Sequence, residues 1–73
     1  MELDSMIRKL LHEESEMLVS YREKLSKVME PRLRSFLEEQ SAASEKRCRQ
    51  LEDYLRTLDA SNTVTRQIND MFL

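Results

Sequence analysis

The chain has no glycine and no tryptophan, and only one proline, one cysteine and one histidine in 73 residues. Without glycine the tight turns that need positive φ are unavailable, which argues against a β-sheet built from hairpins. One cysteine cannot close an internal disulfide, and it matches no zinc-binding spacing. No apolar run approaches the roughly 20 residues that span a bilayer. The opening MELDSMIRKLLHEE begins with acids rather than the basic start and apolar core of a signal peptide. A reducing, cytoplasmic location is the expectation. Neither sign of charge dominates: 14 acidic and 12 basic residues are interspersed, for a net charge of -2. No surface is built for phosphate, so neither nucleic acid nor a membrane is an expected partner.

What is present points to helix. Charged residues make up 36% of the chain and hydrophobic residues 40%, too apolar for a disordered segment and too short for more than one small domain. In the first half, Leu3, Ile7, Leu10/Leu11, Met17/Leu18, Tyr21, Leu25 and Val28/Met29 recur in steps of three and four. That periodicity predicts a helix from about residue 4 to 29, capped by Asp4 or Ser5. Pro31 disfavours the α region for Glu30 and itself suits the first position of a new helix. A second helix is expected over about 31–59, with Leu33, Phe36/Leu37, Leu51, Tyr54/Leu55 and Leu58 on one face. Ser61, Asn62 and Thr63 are all good N-cap types, so a break is expected there, followed by a short amphipathic helix over about 62–72 carrying Val64, Ile68 and Phe72. The fold class is therefore all-α: an antiparallel hairpin plus a short C-terminal helix. One long helix kinked at Pro31 is the competing arrangement; it would leave both stripes uncovered along ~80 Å.

Both stripes are interrupted by polar residues at matching distances from Pro31. Glu14 interrupts the first, and Gln40, Ser41, Ser44, Glu45 and Cys48 the second. If the chain folds back at Pro31, Glu14 lies about level with Ser44, Glu45 and Cys48. A carboxylate in an apolar stripe must be paired, protonated, metal-bound or turned to the edge, because desolvating it alone is costly. Edge exposure, a hydrogen bond to Ser44 or Gln40, and metal ligation are all open to Glu14. Glu45 is expected to flank the seam and pair with Arg49, Glu52 with Arg56, and Cys48 to be a small core residue. His12 is one helical turn from Glu16, a spacing that permits a weak metal pair, though the expectation for a lone exposed histidine on a charged face is no function. Tyr21 and Tyr54 are expected to bury their rings with hydroxyls at the rim. No nucleophile–base arrangement and no phosphate-cradling loop can be assembled, so no enzyme activity is expected.

The segments EESEMLVSY, with Glu14 seven residues before Tyr21, VMEPRLRSFLEE, Ala43 and Glu45-Lys-Arg-Cys48 resemble one half of a ferritin-like or rubrerythrin-like bundle over about residues 7–58. The resemblance implies two hairpins enclosing a metal site, with a Glu on one helix and Glu-x-x-His on the next. Glu14 and Glu45 would be ligands for iron or manganese, while Cys48 stands where the family has histidine. Soft thiolate and hard carboxylate ligands suit different metals.

Chains this short rarely stabilise themselves without a metal, a disulfide or oligomerisation. A homodimer or larger assembly, with two hairpins forming a four-helix bundle, is therefore expected. The leading functional expectation is a helical protein–protein interaction or oligomerisation module, of adaptor, chaperone or regulator type and with no cofactor. Its interface residues would be Leu10, Met17, Tyr21, Leu37, Leu51, Leu55, Val64, Ile68 and Phe72. The alternative is a metal-binding protein using Glu14, Glu45 and Cys48.

Overall fold

The structure, a computed structural model, describes the backbone of residues 2–72 and the side chains of residues 2–58. Two helices, α1 (Leu3–Leu25) and α2 (Pro31–Phe72), pack against each other, and no strand occurs among the described residues. Their cross-links run in opposite senses along the chain: Glu14 meets Arg47, Arg22 meets Glu45, and Arg34 reaches Leu25. The hairpin is therefore antiparallel. The molecule is 64 Å long and 18 by 15 Å across. The long dimension is that of α2 alone, whose 42 residues at 1.5 Å each give about 63 Å.

The seam is built on alternating steps of four and three. Ile7, Leu11, Glu14, Leu18, Tyr21, Leu25 and Val28 face Leu37, Ser41, Ser44, Cys48, Leu51, Leu55 and Leu58, and each of these is buried or half-buried. These are the a and d positions of a heptad, which keep one face of each helix on its neighbour. The structure thereby separates the adjacent pairs in the sequence pattern. Leu11, Leu18, Leu37 and Leu55 enter the seam, while Leu10, Met17, Phe36 and Tyr54 are exposed.

Both ends of α1 differ from expectation. Neither Asp4 nor Ser5 caps its start: Glu2 is the N-cap, without a side-chain bond. Asp4 instead lies in the first turn, where its charge suits the exposed amides and Oδ1 accepts from the Ser5 amide at 2.9 Å. At the other end α1 stops at Leu25 rather than Met29. With no glycine to adopt a left-handed cap, the last turn tightens: the Lys27 amide donates to Lys24 O and the Ser26 hydroxyl donates to Glu23 O at 2.6 Å.

Pro31 then opens α2, and the Glu30 carboxylate accepts from the Leu33 amide at 2.6 Å, serving as its N-cap. Arg34 Nη1 donates to the carbonyls of Leu25 at 2.8 Å and Val28 at 3.1 Å, tying the C-terminal carbonyl of α1 and the connection after it to the first turn of α2.

The expected break at residues 59–63 is absent: α2 runs without interruption to Phe72. Ser61, Asn62 and Thr63 can cap a helix but do not compel one to start. Their interior cost is under about 0.7 kcal/mol each, and neither glycine nor proline lies nearby to force a stop. The short C-terminal helix is thus an extension of α2.

Replacing Arg34 with alanine should lower stability by about 1 kcal/mol, since two carbonyls lose a charged donor at an exposed site. Urea unfolding followed by circular dichroism would register this as a lower midpoint. An unchanged midpoint would show that the turn is held by Pro31 and Glu30 alone.

Candidate functional site: the polar layer and the two flanks

Ser44 is the only fully buried side chain among the described residues, with 0% of its surface exposed. A buried hydroxyl needs a partner, and α1 supplies one at the same level. Ser44 Oγ donates to Glu14 Oε2 at 2.8 Å, with the Glu14 carbonyl oxygen at 3.3 Å. Arg47, one turn further along α2, donates from Nε to Glu14 Oε1. Both carboxylate oxygens therefore have donors, and the side chain is 17% exposed. Below this layer Ser15 Oγ and Cys48 Sγ lie 3.9 Å apart. Among the described residues no buried side-chain polar atom is left without a hydrogen-bond partner.

The Arg47 hydrogen bond holds the Glu14 carboxyl below the usual carboxylate range, against the opposing effect of burial and with further help from Ser44. The same bond raises Arg47, which stays cationic. Of the partners considered for Glu14, Ser44 is the one found. Arg47 was missed. A basic residue beside the seam, one turn past Ser44, was the available signal, since long side chains at flanking positions reach across antiparallel helices.

Glu45 does not join this layer. It lies on the other side of α2 and pairs with Arg22 of α1, rather than with Arg49. Arg56 likewise pairs with Asp53 at 2.7 Å rather than with Glu52. Cys48 is buried, as a small core residue. The proposed metal ligands Glu14, Glu45 and Cys48 are thus each engaged with a different partner. The residues present do not form a donor set: no group of three His, Cys, Asp or Glu side chains converges among the described residues. His12, exposed as its charged face suggests, has Nε2 2.9 Å from Glu16 Oε1.

The hairpin's two flanks differ in chemistry. One carries Arg8, Ser15 and Arg22 from α1 beside Glu38, Glu45 and Glu52 from α2, and the Arg22–Glu45 ion pair closes it. The other carries Leu3, Leu10 and Met17 beside Leu33, Phe36 and Tyr54, all roughly half-exposed. On this second flank an open groove of about 470 Å³ is lined by Leu10, Glu14, Arg47, Gln50, Leu51 and Tyr54. Of the expected interface residues, Leu37 and Leu55 are buried within the hairpin and Tyr21 and Leu51 half-buried. Leu10 and Met17 face outward on the open flank, and so does Tyr54, whose ring was expected in the core. Val64, Ile68 and Phe72 lie outside the described side chains.

Two outcomes follow from the polar layer. Ser44→Ala should cost about 1–2 kcal/mol, because a half-buried carboxylate loses a donor; an unchanged urea midpoint would contradict its role. Glu14, with its pKa lowered in the folded state, stabilises the fold above its unfolded value of about 4.3. That contribution is lost as pH falls through the folded-state value. Glu14→Gln should therefore flatten the acid limb of stability against pH. An acid limb identical to that of the parent would remove Glu14 from the account. Comparison of the chain with protein-family models, with curated proteins and with solved structures returned no match.

Proposed function

We propose that the protein is a non-enzymatic helical interaction and oligomerisation module that works through the open flank of its hairpin. The carrying observation is the row of half-exposed apolar side chains shared by both helices: Leu3, Leu10 and Met17 on α1, Leu33, Phe36 and Tyr54 on α2. A two-stranded coiled coil needs apolar residues only at its seam positions, whereas a helix with two helical neighbours needs a third apolar row beside them. These six residues supply that third row on one side, whereas on the opposite side the Arg22–Glu45 ion pair spans the helices and Val19 stands exposed beside Ser15.

The small core supports the same conclusion. Ile7, Leu18, Leu37, Cys48 and Leu55 are the only buried apolar side chains among the described residues. A core of that size leaves a chain of 73 residues short of the burial that ordinarily stabilises a domain. Additional burial against another helical surface would complete it. α2 is nearly twice as long as α1, so its C-terminal part extends past α1, and the sequence places Val64, Ile68 and Phe72 there at four-residue spacing. That stretch offers a second contact for a protein partner.

Sedimentation and thermal melting of the whole chain across a wide concentration range test the proposal. Self-association and a melting temperature that rises with concentration are expected, because binding partners that recognise only the folded state stabilise it by mass action. Leu10→Glu should weaken both effects while leaving helicity intact, since Leu10 is outside the seam. A chain that is monomeric throughout, with the same melting temperature for parent and variant, would contradict the oligomerisation role.

A further inference from the structure

We infer that the occupant of the open flank is a second copy of this chain, laid antiparallel across a two-fold axis at the level of Ala43 and Ser44. Phe36 of each copy would sit in the Leu10–Leu51–Tyr54 groove of the other. The pairing rests on the interaction role proposed above and specifies its partner and geometry.

The first support is the order of residues along α2. The row beside the seam reads Leu33, Gln40, Arg47, Tyr54, and it is symmetric in character about a point between residues 43 and 44. Turning a second copy about that point sets Leu33 opposite Tyr54, and Gln40 opposite Arg47. Apolar then meets apolar, and a guanidinium meets a neutral amide rather than another cation. Sliding the copies by seven residues, about two turns, would bring the two Arg47 side chains together, a like-charge contact that interfaces avoid. Isologous pairing of this kind is the commonest way for identical chains to associate.

The second support is shape. Phe36, on the same flank, is 52% exposed. It precedes Leu51, at the floor of the 470 Å³ groove, by fifteen residues or about 22 Å of helix. The midpoint of that interval is again the Ala43–Ser44 level, so one rotation matches the symmetric row and seats the aromatic ring. Small side chains at the crossing, Ala43 beside buried Ser44, let the two α2 helices approach closely. On α1, the same operation brings Glu13 of one copy within about one helical turn of Lys24 of the other, an opposite-charge contact.

Charge and area permit the contact. Glu14 faces the groove but is already neutralised by Arg47, so covering the flank strands no unpaired charge. The flank overlies the length of α1, 23 residues or about 35 Å, across a molecule 18 Å wide. Its footprint is roughly 600 Å² per copy, and two copies approach the roughly 1,200 Å² at which specific interfaces begin.

The test places cysteine at the predicted axis. In a Cys48→Ala background, Ala43→Cys should form a disulfide-linked dimer under mild oxidation, and Glu39→Cys, on the outward back of α2, should not. In parallel, Phe36→Ala should weaken dimerisation by about tenfold or more, the loss expected for an aromatic anchor. Its helicity should be unchanged, because Phe36 lies outside the seam. A dimer that forms without the position-43 crosslink, or that Phe36→Ala leaves equally tight, would overturn this geometry while the module role stands. A helical chain that stays monomeric at every concentration would overturn the role itself.

Discussion

Glu14 sits in a seam where every other α1 position is apolar or aromatic, and its charge has to be answered from the facing helix. Only one level of α2 does so: Ser44 reaches one carboxylate oxygen and Arg47 the other. Apart from Tyr21, Ser41 and Cys48, the rest of the seam is aliphatic, Leu on Leu or Ile on Leu, and such packing alone discriminates weakly against a slip by a heptad. A slip leaves the carboxylate against Leu37 or Leu51, at a desolvation cost that apolar contacts do not offset. The register of the hairpin and the sorting of its flanks follow from that contact, while Pro31, Glu30 and Arg34 hold the turn.

Once the register is set, the flanks are fixed too. Arg22 arrives beside Glu45 and closes one side with an exposed ion pair, an interaction of small energetic value that nevertheless covers the seam's edge. Leu10 and Tyr54 arrive beside each other on the opposite side and leave a groove. The asymmetry leaves a small two-helix core with one apolar flank uncovered. In the proposed role, stability and association would be coupled, since the surface that would bind is also the surface that the fold most needs to cover.

Much of this is readable from residue spacing. Alternating steps of three and four define both seams, and Pro31 marks the second helix's first residue. The level of Glu14 with Ser44 follows from equal distances to the turn. Spacing could not separate Leu10 from Leu11 or Phe36 from Leu37, because adjacent apolar residues fit a helical stripe about equally well until a facing helix fixes the seam's centre. The partner of Glu45 was misassigned for a related reason: Arg49 is near in sequence, but Arg22 is brought near by the fold. The end of α1 at Leu25 depends on Arg34 capturing carbonyls from across the turn, and nothing in the local sequence of α1 signals that. Ser61–Thr63 show the converse, a cap signal that continuous helix overrides.

The central claim is that the Glu14–Ser44 layer selects one register from several of similar apolar packing. Replacing both residues with leucine removes the Glu14–Ser44 layer and makes both positions apolar. The amide NMR spectrum of this double variant is the most direct test. The account predicts a higher melting temperature together with more than one set of amide signals, as slipped pairings become populated. A single sharp set of signals, with the parent's cross-helix contacts intact, would show that apolar packing alone sets the register.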